Sequence, residues 1–204
     1  MRAERLLTTA GVELAGPLLL TPRVFADPRG FFYESWNQRT FVEALEADGQ
    51  PARSFVQDNH SRSSQGVLRG LHYQLPPHPQ GKLVRCVLGE IFDVAVDLRR
   101  GSTTFGGWVG ARLSAENHQQ LWVPEGFAHG FLTLSEHAEV LYKTTDFWSR
   151  DCERAIRWDD PQLGVAWPPL DATAESSAPL LSEKDAAASR LAALGSADLP
   201  VLKP

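Results

Sequence analysis

The strongest constraint on this chain is a succession of short β-forming runs between Phe55 and Thr145. Phe55–His60, Gly66–Gln74, Lys82–Leu88, Ile91–Leu98, Phe105–Leu113, Gln119–Val123, Phe131–Leu134 and Glu139–Thr145 follow one another at short spacing, with turn residues between them. A parallel sheet needs a long crossover, usually a helix, between successive strands. No strand–helix alternation occurs here, so the runs indicate an antiparallel sandwich or barrel. Lys82–Leu88 and Ile91–Leu98 flank Gly89-Glu90 and read as a β-hairpin.

The flanking segments are less regular. Val12–Arg23 contains Pro17 and Pro22 and reads as short edge strands. Asp27-Pro28-Arg29-Gly30 is a turn, followed by an aromatic strand over Phe31–Trp36. Thr40–Gly49 reads as a helix capped by Thr40 and ended by Gly49, with Phe41, Ala44 and Leu45 on one face. Beyond Trp158, Pro161, Pro168, Pro169 and Pro179 indicate an irregular wrap, and Asp171–Ala178 a loop. Ser182 opens an alanine-rich helix expected to run to about Leu194, with Ser182 and Asp185 as a capping box. The last ten residues are expected to be loose. A length of 204 residues, 43% of them hydrophobic, suits a single domain. Its core is expected over about residues 12–194, with the C-terminal helix and tail peripheral.

A net charge of −5 without a basic block argues against a nucleic-acid binder. Cys86 and Cys152 match no zinc spacing and make no disulfide framework; Cys86 reads as a small core residue. Met1–Thr9 holds Arg2, Glu4 and Arg5 and no apolar run, unlike a signal peptide, and no stretch is apolar enough to span a bilayer. The expected location is the cytoplasm, without a membrane partner.

Two stretches carry chemistry. Gly66–Gln74 places Arg69 and His72 on one strand. A guanidinium matches phosphate oxygens and an imidazole takes a proton near neutral pH, so together they suit a phosphorylated substrate. The plainer alternative is a surface arginine and a packed histidine. The second stretch, Pro124-Glu125-Gly126-Phe127-Ala128-His129, resembles the second cupin motif and implies a jelly-roll barrel. Metal-binding cupins supply His-x-His from the first motif, but here that position reads His72-Tyr73-Gln74. A metal site needs at least three protein ligands, so neither metal nor other cofactor is expected. His129 could equally be a structural histidine.

Taken with Gln57–Ser61, Phe92–Asp97, Leu141-Tyr142-Lys143 and Leu181–Asp185, these stretches resemble the dTDP-4-dehydrorhamnose 3,5-epimerase family from about Gly16 to Leu194. The resemblance implies an all-β, metal-free cupin homodimer. It implies a dTDP-4-keto-6-deoxyhexose substrate, inverted at C3 and C5 on the route to dTDP-L-rhamnose. By the same resemblance His72 is the base and Asp185 the carboxylate on its far nitrogen. Tyr142 is the proton donor, and Lys82 binds substrate and stabilises charge on the C4 oxygen. Arg29, Glu34, Gln57, Asp58, Asn59, Arg69, His129, Glu153 and Lys184 match further binding positions, and Trp148 matches the residue that stacks on thymine.

One departure stands out. Where the family commonly carries two tyrosines after Thr-Thr-Asp, this chain has Phe147-Trp148. The π-face is kept and the phenol hydroxyl is lost. An epimerase for a single centre is therefore an alternative. Two others are a non-catalytic sugar-nucleotide-binding cupin, which would not need His72, Asp185 and Tyr142 together, and a metal-dependent cupin dioxygenase, opposed by the missing His-x-His. From sequence, an exchanged aromatic N-terminal strand could link two subunits.

Overall fold

A computed structural model of the chain describes residues 1–170 and 178–202. It is an all-β jelly-roll sandwich of two antiparallel sheets. One sheet has the order β1 (Arg2–Leu7), β2 (Glu13–Thr21), β10 (Gln120–Val123), β7 (Lys82–Leu88), β12 (His137–Thr144), β5 (Gln57–Ser64). The other runs β13 (Glu153–Ala155), β6 (Leu68–Gln74), β11 (Phe127–Thr133), β8 (Glu90–Asp97), β9 (Trp108–Ser114). A separate hairpin, β3 (Phe25–Asp27) and β4 (Gly30–Phe32), turns at Pro28-Arg29. Among the described residues no helix is long and apolar enough to cross a membrane.

Strand periodicity explains the layers. Val84 and Cys86 of β7, Ile91 and Ala95 of β8, and Val109 and Leu113 of β9 point inward and meet between the sheets. The outer faces are covered too. Helix α1 (Gln38–Ala47) lays Phe41 and Leu45 on Leu18, Leu20, Leu83 and Trp122. Each such fully buried side chain stabilises by roughly 1.5–3 kcal/mol. The C-terminal segment places Leu191, Leu194 and Leu199 against Leu71, Val94 and Val96. Burial on both faces is why β8 reads as a nearly continuous apolar run.

Several expectations need correction. Lys82–Leu88 and Ile91–Leu98 do not form a hairpin: β7 pairs with β10 and β12, β8 with β9 and β11. Gly89, at φ +73°, turns the chain from one sheet into the other. β2 is interior to its sheet, because an unanticipated β1 forms the edge. Pro17 is tolerated because it falls in the register shift of the β1–β2 ladder. The aromatic strand stops at Phe32. Helix α1 is capped by Asn37, not Thr40; the Asn37 side chain accepts from the amides of Arg39 and Thr40. The alanine-rich helix is only α2 (Glu183–Ala186). It cannot continue because Ser189 bridges to Ile156 and Asp160 accepts the Leu191 amide. The tail is not loose: Tyr73 donates to the Asp198 carbonyl, Arg154 pairs with Asp198, and Val201 bridges to Arg100. The loop expected over Asp171–Ala178 lies, for 171–177, outside the described residues. Cys86 and Cys152 are both free and buried.

Candidate active site

The site is built where β6 and β11 run side by side. Their register sets His72 opposite His129. Gly70 and Gly130 permit this approach. A Cβ on Gly70 would lie 2.6 Å from the Gly130 Cα, and one on Gly130 would lie 2.6 Å from the Arg69 carbonyl oxygen. Gly70 also holds φ +125°, which side-chain-bearing residues rarely adopt. The register shift between His129 and Phe131 falls at this contact.

Next to the two histidines opens a cavity of about 460 Å³. His72, His129 and Arg69 reach it from one sheet, Lys82 and Tyr142 from the other, and Lys184 and Asp185 from α2. The α2 segment is held there by chain pairing. The Leu180 amide donates to the Gly66 carbonyl and the Leu68 amide to that of Leu180.

His72 Nε2 lies 2.5 Å from Asp185 Oδ1. The carboxylate accepts from Nε2–H, which leaves the lone pair on Nδ1. Asp185 is buried, and burial pushes its carboxyl up. Hydrogen bonds from His72, Ser182 and the Gly70 amide, together with the charge of His72, outweigh burial and hold it below the usual carboxylate range. The capping box is thus half made: Ser182 Oγ accepts from the Asp185 amide, while the Asp185 carboxylate serves His72.

Lys82 is buried and donates to the His72 carbonyl oxygen at 3.3 Å. Burial pulls its ammonium down to about 8, against the raising effect of Asp93 and Glu153. Tyr142 lies on the opposite sheet from His72, and burial raises its phenol above the ordinary value despite Arg69. The phenol is therefore a protonated donor at neutral pH. His129 Nε2 lies 2.7 Å from Asp93 Oδ1, both groups buried. Desolvation lowers the His129 imidazole, with Lys82 and His72 adding to the effect and Asp93 opposing it.

Of the other expected residues Arg69 and Lys184 line the cavity, while Glu153, Gln57, Asn59 and Trp148 are not among the residues that line it. Arg69 donates to Ser63 Oγ at 3.0 Å and to the Arg62 carbonyl. Glu153 pairs with Lys184 at 2.6 Å. Gln57 links Asn59 and the Trp148 amide, and the Trp148 ring is largely exposed. Asp58 points to the opposite face of β5 and pairs with Lys143, and so does not join Gln57 and Asn59. Arg29 and Glu34 are not brought to the cavity. Arg29 pairs with Asp27 on the exposed hairpin, and Glu34 accepts from Asn37.

Sequence reasoning passed over Asp93 and Ser61. Asp93 stands between Ile91 and Ala95 on the core-facing side of β8, and a charge in that register signals a site. Ser61 Oγ is buried without a partner beside the cavity. Among the described residues, no group of three or more His, Cys, Asp or Glu side chains could hold a metal ion.

Comparison with known proteins identifies the family. A family profile for dTDP-4-dehydrorhamnose 3,5-epimerase matches residues 11–193. The dTDP-4-dehydrorhamnose 3,5-epimerase of Pseudomonas aeruginosa is 66% identical over 168 residues, covering 82% of this chain and 87% of that protein. The crystal structure of dTDP-6-deoxy-D-glucose-3,5-epimerase from Legionella pneumophila, in complex with dTDP-4-keto-L-rhamnose, superposes with a TM-score of 0.86 at 44% identity. That match covers 100% of both chains. A 3'-monoepimerase from Streptomyces bikiniensis in complex with dTDP-quinovose gives a TM-score of 0.78 at 32% identity, covering 91% of this chain and 89% of that one. By profile, sequence and fold, the chain belongs to the dTDP-4-dehydrorhamnose 3,5-epimerase family.

Proposed function

We propose that this protein inverts C3 and C5 of dTDP-4-dehydro-6-deoxy-D-glucose, giving dTDP-4-dehydro-L-rhamnose on the route to dTDP-L-rhamnose. The observation that carries the reading is the His72–Asp185 pair facing Tyr142 across one cavity. A C4 ketone acidifies the hydrogens on both neighbouring carbons. His72 Nδ1 takes the proton, and the C–H electron pair moves into the carbonyl as an enolate. Asp185 stabilises the imidazolium that results. The Lys82 ammonium stabilises the developing charge on the C4 oxygen. Tyr142 delivers a proton to the opposite face of the same carbon, which inverts it. Histidine and tyrosine then exchange protons with solvent, and the cycle repeats at the second carbon. The ketone is the electron sink, so every step is written with side chains of this chain.

Arg69 suits the diphosphate, Trp148 the thymine face, and Gln57, Asn59, Glu153 and Lys184 the polar groups of sugar and nucleotide. Two copies work as a homodimer. The exposed hairpin with Phe25, Phe31 and Phe32 supplies an apolar contact and carries Arg29 toward a partner. The cytoplasm fits a nucleotide-sugar substrate.

The test is NMR of the 4-keto sugar nucleotide in D2O with catalytic amounts of the protein. Deuterium entering both C3 and C5 is expected. Entry at one carbon alone would make this a single-centre epimerase, the outcome that Trp148 in place of tyrosine keeps under test. No entry at either carbon would leave only a binding protein.

A further inference from the structure

We propose that Asp93 is a positioning residue for the electrophilic side of the site: its carboxylate holds His129 as a hydrogen-bond acceptor toward the cavity that Lys82 also lines. This inference rests on the epimerase reading.

The geometry starts from β8. Asp93 lies on its inner face and is wholly excluded from solvent. Its Oδ1 accepts from His129 Nε2 at 2.7 Å, so the proton sits on Nε2 and the lone pair on Nδ1. His129 lines the cavity, and a ring of this tautomer accepts a hydrogen bond from a sugar hydroxyl rather than donating to the C4 oxygen. Asp93 Oδ2 is buried with no hydrogen-bond partner. An unmatched oxygen on a buried carboxylate is destabilising, and an apolar residue would serve the barrel better. The charge is kept for what it does to its surroundings.

Beyond His129, the same charge also acts on Lys82, which reaches the cavity from β7. Burial depresses the ammonium, and Asp93 is the strongest charge opposing that depression, ahead of Glu153 from β13, while Lys184 from α2 works against it. His72, His129, Arg69, Tyr142 and Asp185, all lining the same cavity, are the other titratable or charged groups around the pair. An enolate at the C4 oxygen requires the ammonium form of Lys82. Remove the negative charge of Asp93 and that form is lost at lower pH. An asparagine amide also donates to His129 Nε2 and turns the ring over to Nδ1–H.

The experiment compares wild type with Asp93→Asn, measuring kcat and KM against pH and dTDP affinity by calorimetry. The expected result is unchanged dTDP affinity with kcat lowered about 10²-fold, the scale of one misplaced preorganised group. The alkaline limb of kcat is expected to move toward acid by about one to three pH units, the usual effect of deleting a close opposite charge. A kcat loss equal at every pH, with the limb in place, overturns the proposal in favour of a purely structural role, as does no loss at all. If the variant does not fold or is too slow to profile, 15N-histidine NMR of the wild type decides. A neutral His129 protonated on Nε2 at pH 7 supports the proposal, and an Nδ1–H tautomer or an imidazolium overturns it. Wild type that fails to exchange substrate protons sinks the epimerase reading instead, so the two failures are distinguishable.

Discussion

Two histidine–carboxylate pairs, His72 with Asp185 and His129 with Asp93, meet at one rung of the β6–β11 ladder through their histidines, and they are built differently. The His72 side chain keeps 27% of its surface open, against 8% for His129. Asp185 arrives from a four-residue helix far along the chain, and Ser182, Gly70 and His72 satisfy it. Asp93 comes from the neighbouring strand and leaves one oxygen unmatched. An imidazole that must accept and release a proton needs a solvent-connected face and a partner that tolerates the imidazolium. An imidazole sealed in the barrel, lowered by desolvation and flanked by Lys82, stays neutral and holds a fixed tautomer. On the proposed mechanism the same two residue types serve as a base in one setting and a fixed acceptor in the other.

The sharpest way to break this contrast is to delete each ring in turn. His72→Asn is expected to lower kcat about 10⁴-fold, the upper range for a general base. It should also abolish deuterium entry at both carbons. His129→Asn should leave exchange slower but measurable. Equal residual exchange in the two variants, followed by NMR in D2O, would erase the distinction between the pairs. Asp185→Asn comes next, with a fall in kcat of about 10³-fold, because the amide no longer fixes the tautomer or stabilises the imidazolium. Steady-state kinetics with dTDP affinity as the control reads this directly. A fall in affinity that matches the fall in kcat would mean Asp185 only anchors α2.

How much of this contrast was legible in the sequence follows from where the information sits. His72 and Tyr142 lie on strands whose pattern is local, so their elements are readable from the chain alone, whereas the strand expected from Phe131 begins at Phe127 and takes in His129, because β11 is buried throughout and shows no alternation. The likeness to a known family then assigned their roles. Asp185 is harder: locally it looks like the fourth member of a capping box, and only the pairing of Leu180 with Gly66 and Leu68 carries it to His72. Asp93 was visible as a charge in an inward register but was absorbed into an apolar run. The false hairpin at Gly89 has the same root. Strand periodicity is local, but which sheet a strand joins is decided by partners elsewhere in the sequence, β10 and β12 for β7 and β9 and β11 for β8. The alanine-rich helix failed for a related reason: Ser189 and Asp160 make contacts that propensity cannot weigh.

Lys82 bridges the two pairs, donating to the His72 backbone and facing the charge of Asp93, and it sets activity against stability. Its pKa near 8 in the fold lies below the unfolded value of 10.5. Between those limits the unfolded chain binds the extra proton, so stability rises with pH while the ammonium that the proposed mechanism uses disappears. Below about 8 both states are protonated and the fold bears the net cost of burial less the attraction of its ion partners, roughly 3 kcal/mol. Lys82→Met is expected to be more stable than wild type at pH 7 by about that amount and to lose its rise between pH 8 and 10.5. Turnover should collapse. Urea unfolding at pH 7 and 10 measures the first two effects. A variant less stable than wild type would show that Lys82 is held by its ion partners more strongly than burial opposes it.

The smallest expected effect tests the contact that makes the two pairs neighbours. Gly130 does not need an unusual φ, so alanine is excluded there by contact alone. Its Cβ would lie 2.6 Å from the Arg69 carbonyl oxygen and 3.1 Å from the Gly70 Cα, both backbone atoms that cannot rotate away. Gly130→Ala must push β11 from β6 at the rungs that carry His129 and His72. Overpacking of this kind destabilises by about 1–3 kcal/mol. The widening should reach the two pairs unequally. Asp93 and His129 sit on β8 and β11, which shift together, so that pair stays intact. Asp185 is tied to His72 through the β6 side, by the Gly70 amide and the Leu180 pairing, and that pair also stays whole. What changes is the distance between them, and with it the placement of His129 Nδ1 relative to His72 Nδ1. The expected signature is therefore retained hydrogen exchange at the substrate carbons with KM raised for the sugar nucleotide and unchanged affinity for dTDP alone. Loss of exchange with KM unaltered would instead mean that the glycine contact serves the base itself, and the two pairs would have to be treated as one unit.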